Sequence, residues 1–278
     1  MTSPEPDVIA LIPAAGRGNR IAPLPCSKEL YPIGFRLDPT NGELRPKVSV
    51  HYLLEKLFAA RIARAYVILR DGKWDIPAYL GDGAVVGMHL AYLVTGATIG
   101  PPDTLDRAYP FVGGASIALG FPDMLFGPDD AYQRLLERLH GAGADIVVGL
   151  YRAHDCREMD MVDFDDAGRV RSVTLKPRSS NLQYAWLCAV WRPAFTEFMH
   201  RFVAAERERL TRAPSAYREL DAQGDLPMGA VIKAAVESGL EVHGVPFPDD
   251  SYIDIGTPDD LERAVTRFHS AGRGGGPT

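Results

Sequence analysis

The residues best equipped for chemistry lie near the start of the chain. Gly16-Arg17-Gly18-Asn19-Arg20 directly follows the apolar run from Val8 to Pro13, and Lys28 comes shortly after. Two glycines behind a buried strand let the backbone approach a ligand closely, and free N–H groups there cradle phosphate. Two cations beside such a turn, Arg20 and Lys28, suit the triphosphate of a nucleotide. The third glycine of a dinucleotide fingerprint would fall at Ile21, and no Gly-Lys-Ser/Thr sequence closes the turn. A dinucleotide crevice is thereby disfavoured, and the turn is not a Walker loop. Taken alone, the segment reads more simply as an ordinary strand-to-loop turn with surface cations.

These side chains need a scaffold, and the hydrophobic pattern supplies one. Val8 to Pro13, Ala65 to Leu69, His89 to Val94 and Ala115 to Leu119 are short apolar runs of the kind that form strands buried on both faces. Between them, Leu53/Leu57 and Leu54/Phe58 repeat at helical spacing, and Pro101 to Tyr109 carries proline in its first turn. Further strands are expected at Asp145 to Tyr151, Met161 to Phe164, Val170 to Leu175 and Tyr184 to Trp191. Asp165-Asp166-Ala167-Gly168 marks a hairpin. Helices are expected over Ala131 to His140, Ala194 to Leu210, and Met228 to Ser238 before Gly239. A last helix is expected from Thr257, with Thr as cap, Pro258 next and acids in the first turn. The pattern predicts an α/β fold with a mixed, mostly parallel central sheet and helices on both faces, Rossmann-like in kind. Residues 1–270 are expected to form one domain and 271–278 a disordered Gly-rich tail. The Pro- and Gly-rich stretch from Pro23 to Pro46 reads as a long loop, its Phe35-to-Pro46 part as a mobile flap over the site.

Composition narrows the function. A net charge of -6 argues against nucleic acid as a partner, which needs a basic face, but leaves room for a locally bound phosphate ligand. The three cysteines, Cys26, Cys156 and Cys188, are an odd set without short-range pairing, and the N-terminal segment has no apolar core. Together with the lack of a membrane-length apolar run, this leads to the expectation of a cytoplasmic protein. The seven histidines show no zinc-ligand spacing, and no Gly-x-Ser-x-Gly elbow is present.

The segment Ile12-Pro13-Ala14-Ala15-Gly16-Arg17-Gly18-Asn19-Arg20, continued by Ser27-Lys28-Glu29-Leu30-Tyr31-Pro32, resembles the signature of sugar-1-phosphate nucleotidyltransferases, the glucose-1-phosphate thymidylyltransferase branch above all. Leu119-Gly120-Phe121-Pro122-Asp123-Met124-Leu125-Phe126 resembles that family's L-G-D-N-I-F. Lys176-Pro177 resembles its E-K-P, and Tyr252-Ile253-Asp254-Ile255-Gly256-Thr257-Pro258 its W-x-D-x-G-T-P. The resemblance runs from about Val8 to Phe268. It implies an enzyme that joins a nucleoside monophosphate from a triphosphate to a sugar 1-phosphate and releases pyrophosphate. It further implies catalytic roles for Arg20, Lys28 and Asp123. Ala14, Ala15, Gly16, Gly18, Asn19, Arg20 and Lys28 would contact the nucleotide, and Lys176 and Cys188 the sugar phosphate. Asp123 and Asp254 would hold Mg²⁺, a hard cation suited to carboxylates and phosphates.

This chain departs from the family pattern at several positions. Asn19 replaces a hydroxyl residue, Leu175 stands where a sugar-binding glutamate is usual, and Cys188 falls near a customary glycine. The glutamine and glycine that read a pyrimidine have no match around Pro101-Pro102-Asp103-Thr104. Phosphate and metal machinery is retained while base and sugar readers are not. Two alternatives stay open: transfer to a cyclitol or deoxysugar phosphate, and a non-catalytic nucleotide-sugar-binding regulator. The base, the acceptor and any homo-oligomeric state are not legible.

Overall fold

The structure, a computed structural model, describes residues 7–38, 41–212, 225–248 and 252–271. In chain order, β1 (Val8–Ala14) leads into the glycine turn, followed by β2 (Pro32–Leu37), β3 (Leu44–Val48), α1 (Ser49–Ala59), β4 (Arg64–Arg70), α2 (Asp75–Leu80) and β5 (His89–Thr95). Then come α3 (Pro101–Asp106), β6 (Ser116–Leu119), β7 (Met124–Phe126), α4 (Ala131–Gly141), β8 (Ile146–Arg152), β9 (Met161–Phe164), β10 (Val170–Thr174) and β11 (Tyr184–Trp191). The described chain closes with α5 (Pro193–Arg212), α6 (Met228–Glu237), β12 (Val242–Phe247), β13 (Tyr252–Asp254) and α7 (Pro258–Ala271).

Among the described residues nine strands form the central sheet, and β1, β4, β5 and β6 pair in parallel, as do β8 and β12. Strand β11 runs antiparallel between them, bonded to β8, β6 and the start of β9. Successive residues of β1 enter opposite cores. Ala10, Ile12 and Ala14 pack with α1, α2 and α4, while Ile9 and Leu11 pack on the side of α3, α5 and α6. Burial on both faces is why the strand reads as an unbroken apolar run rather than an alternating one. A third, smaller core of Ile33, Leu125, Ile253, Ile255 and Ala264 ties β2, β7, β13 and α7 together.

The expected mixed α/β sheet with helices on both faces is present, and Thr257 caps α7 by accepting the Asp260 N–H at 3.2 Å. One expectation needs correction. The long loop from Pro23 to Pro46 is instead a short 3-10 turn at Lys28–Leu30 and an antiparallel hairpin of β2 and β3. Strands β7 and β13 form a further two-stranded sheet from segments whose pattern predicts no element. Of the expected tail, Ala271 ends α7 and 272–278 lie outside the described residues.

Candidate active site

The glycine turn leaves the C-terminal end of β1, beside the end of β6, where Leu11 and Leu119 are register partners. Ligands of open α/β sheets bind at this edge. Gly18 adopts φ +66°, a left-handed conformation that glycine reaches without a Cβ clash, and its carbonyl accepts the N–H groups of Ile21 and Ala22, both at 3.1 Å. Gly16, Arg17, Asn19 and Arg20 are exposed around the turn, Ala15 and Gly18 are half-buried, and Ala14 is buried in the core. Ala14 can therefore offer only backbone. A Cβ built on Gly16 meets nothing within 4 Å, so the backbone there faces open space rather than packed protein.

Four charged side chains converge beside this turn. Lys28, on the 3-10 turn, donates to Asp123, which lies in the turn between β6 and β7. Antiparallel pairing sets Asp254 opposite Met124, and the Ile255 N–H donates to the Asp123 carbonyl at 3.1 Å. The β7–β13 ribbon thus brings two carboxylates from distant parts of the sequence to one place. Arg20 reaches Asp254 at 3.6 Å. Gly256 makes room for this, because a Cβ there would stand 2.6 Å from the Arg20 Nη2 and 3.0 Å from the Asp254 Oδ1.

The electrostatics follow from the arrangement. Burial pushes the Asp254 carboxyl up and the Asp123 charge adds to it, with Lys28 and Arg20 opposing; the result is about 6. Asp123 is pushed up by burial as well, but the Lys28 ammonium more than offsets this and holds it below the usual carboxylate range. Burial would lower Lys28, yet the Asp123 charge and hydrogen bond outweigh it and raise it. Two facing carboxylates, one held high by burial and by the charge of the other, fit a divalent cation, which would relieve their repulsion. Among the described residues no cluster of three or more His, Cys, Asp or Glu side chains exists, so the protein would supply two oxygen ligands and leave the rest to phosphate and water.

Four further residues brace the site in two pairs, and no sequence pattern marks their roles. The Ser27 N–H and hydroxyl both donate to Asp75, at the start of α2, at 2.7 Å. Beside them Lys73 donates to the buried Glu29 at 2.6 Å. Burial pushes the Glu29 carboxyl up, and Lys73 offsets part of that rise. Lys28 therefore sits in a turn fixed on both flanks. These partners come from the β4–α2 connection, whose sequence carries no phosphate-loop pattern.

Lys176 and Cys188 part company. Lys176 is exposed, has φ +34°, and lines a cavity of about 110 Å³ together with Phe121 and Met124, which bracket Asp123. Cys188 is fully buried, its sulfur 2.7 Å from where a Cβ on Gly149 would sit, and belongs to the core on the α1 and α4 side. A register shift in β11 between Trp186 and Cys188 is the physical reason. The bulge leaves Trp186 and Leu187 on the cavity and turns the thiol away. Leu175 does not line the cavity either; its Cδ2 lies 3.0 Å from a Cβ built on Gly229. Asp103 and Thr104 are likewise buried, Asp103 accepting from the Ile99 N–H and from Arg207.

Comparison with known proteins returns one class. No family model matches the chain. The nucleotidyltransferase Agl11 of low-salt glycan biosynthesis from Haloferax volcanii is 24% identical over 262 residues, covering 90% of this chain and 63% of that protein. A glucose-1-phosphate thymidylyltransferase of Xanthomonas campestris pv. campestris is 30% identical over 185 residues, 63% of this chain and 56% of the relative. One from an Actinoplanes species is 27% identical over 267 residues, 95% of this chain and 78% of the relative. The chain thus spans less than two thirds of the length of the first two of these relatives. In fold, it superposes on a crystal structure described as a glucose-1-phosphate thymidylyltransferase of Bacillus anthracis in complex with a sucrose. The TM-score is 0.75, with 18% identity and 98% of each chain covered. The relatives are nucleotidyltransferases across most of the sequence, and the architecture matches over nearly all of it, so this chain is similar to the sugar-1-phosphate nucleotidyltransferases and shares the fold of the superposed structure.

Proposed function

We propose that the chain transfers a nucleoside monophosphate from a nucleoside triphosphate to a sugar 1-phosphate. The observation that carries this is the convergence of Arg20, Lys28, Asp123 and Asp254 beside an open glycine turn at the ligand edge of the sheet. An oxygen of the acceptor phosphate attacks the α-phosphorus in line. The new P–O bond forms as the bond to the β-phosphate breaks, and pyrophosphate leaves with the electron pair. Little covalent work falls to side chains, so positioning and charge stabilisation dominate. The backbone N–H groups of 15–19 face the triphosphate. Lys28, held by Asp123, meets its phosphates, and Arg20 stabilises charge developing on the pyrophosphate. Lys176 holds the acceptor phosphate in the cavity beside Asp123. Mg²⁺ held by Asp123 and Asp254 would neutralise phosphate charge when bound. Among the described residues no helix is long and apolar enough to cross a membrane, and we place the protein in the cytoplasm, where its free cysteines stay reduced.

The test is a matrix of nucleoside triphosphates against sugar 1-phosphates, with pyrophosphate release as the readout. Thymidine triphosphate with glucose 1-phosphate is the first pair. One productive pair is expected, with Asp123→Asn lowering its rate at least ~100-fold while the circular dichroism spectrum is kept. A folded Asp123→Asn variant that turns over like the wild type would overturn the assignment.

A further inference from the structure

Asp160, just before β9, is a buried carboxylate that the reaction as described does not use. It is 8% exposed, and its Oδ1 is buried with no hydrogen-bond partner. Burial pushes this carboxyl up, against the opposing Lys176 charge and hydrogen bonds from the Trp186 indole and the Lys176 main chain. Its other oxygen is accommodated by a missing side chain: a Cβ on Gly229, in the first turn of α6, would stand 2.1 Å from Oδ2. Nearby Lys176 adopts φ +34°, a conformation that L-residues with a side chain seldom take.

Each of these features costs stability. An orphaned buried carboxyl oxygen, a left-handed lysine and an enforced glycine are not what packing alone would select, and such costs concentrate at functional sites. They meet at one cavity, which Asp160 lines with Lys176, Glu158 and Trp186 and which abuts the residues on either side of Asp123. Once an acceptor phosphate occupies Lys176, the remaining polar groups facing the rest of the acceptor are two carboxylates over an aromatic floor. With the Trp186 indole N–H turned to Asp160, the carboxylates of such a wall are left to accept hydrogen bonds from the acceptor.

We propose that Asp160 is a specificity-determining residue that reads a hydrogen-bond-donating ring substituent of the acceptor, a hydroxyl or an ammonium. This rests on the nucleotidyl-transfer reading for its choice of sugar phosphates as ligands. The experiment therefore measures binding as well as turnover. Glucose 1-phosphate, glucosamine 1-phosphate and the 2-, 3-, 4- and 6-deoxyglucose 1-phosphates are titrated calorimetrically into wild type, Asp160→Asn and Asp160→Ala. Pyrophosphate release and melting temperature are measured alongside.

In the wild type, at least one donor-bearing probe binds about 10- to 100-fold more tightly than its deoxy counterpart, the range of one hydrogen bond to a charged group. Asp160→Ala erases that ratio, Asp160→Asn reduces it, and neither lowers the melting temperature. Preference for glucosamine 1-phosphate identifies the ammonium, and preference for glucose 1-phosphate the hydroxyl. The proposal is overturned if the wild type does not discriminate or binds none of the probes. It is also overturned if Asp160→Ala weakens every probe by one factor, or lowers the melting temperature with discrimination intact, the behaviour of an anchor for α6. If discrimination and its loss are seen without pyrophosphate release from any pair, the reaction assignment fails and the role of Asp160 stands.

Discussion

Replacing Asp254 by Asn should make the metal-free protein more stable while depriving it of activity. Asp254 faces Asp123 across the β7–β13 ribbon, and its carboxyl is pushed up to about 6 from an ordinary 3.8. At ~1.4 kcal/mol per pH unit, that difference is at most about 3 kcal/mol of unfavourable free energy once the group ionises. The side chain is 36% exposed, so solvent screening brings the expected cost to about 1 kcal/mol. The sign follows from proton uptake. Between pH 3.8 and 6 the folded protein holds a proton on Asp254 that the unfolded chain has released, so stability falls as pH rises through this window and the loss is complete above it. Asn carries no charge and escapes the loss. In thermal melts with EDTA, Asp254→Asn should gain on the wild type as pH climbs from 4.5 to 6. It should melt ~2–4 °C higher at pH 8, and Mg²⁺ should raise the wild type alone. A variant no more stable than wild type at pH 8, or a gap that does not change with pH, would refute the reasoning.

Arg20→Ala should lower kcat more than it raises the KM for triphosphate, because charge on the leaving group develops mainly in the transition state. Steady-state kinetics with an unchanged kcat would make Arg20 a ground-state anchor instead. Cys188→Ala should leave the acceptor KM within ~2-fold while costing roughly 1 kcal/mol in urea melts, since the thiol is core packing against Gly149 and not part of the cavity. A large change in acceptor KM would return Cys188 to the sugar site.

Most of the sheet was legible because β1, β4, β6, β8 and β11 are buried on both faces and show it as continuous apolar runs. The hairpin of β2 and β3 was not. Pro32 and Pro46 lie within it, its outer residues Leu37 and Leu44 are exposed, and no alternating pattern survives. Strands β7 and β13 are three residues each, too short for any period to register, although the motifs around them pointed to Asp123 and Asp254. Cys188 was misplaced because a bulge shifts every later side chain in the strand, and no residue type in Trp186-Leu187-Cys188 announces one. Asp160 was invisible for another reason. Its burial depends on the absence of a side chain at Gly229, far away in the sequence, a relation that only the folded chain creates.

The antiparallel strand β11 also bears on how the molecule comes into being. Among the described residues it alone joins β6 to β8 through main-chain hydrogen bonds, so the β1–β4–β5–β6 half and the β8–β12 half have no common sheet without it. During synthesis, the partner of one flank of β6, β1, precedes it in the chain, while the partner of the other flank, β11, follows about 65 residues later. An uncovered edge set with Ile117 and Leu119 is a template for pairing between nascent chains. Between the synthesis of β6 and the docking of β11, that edge has no sheet partner of its own and is open to strands of other chains.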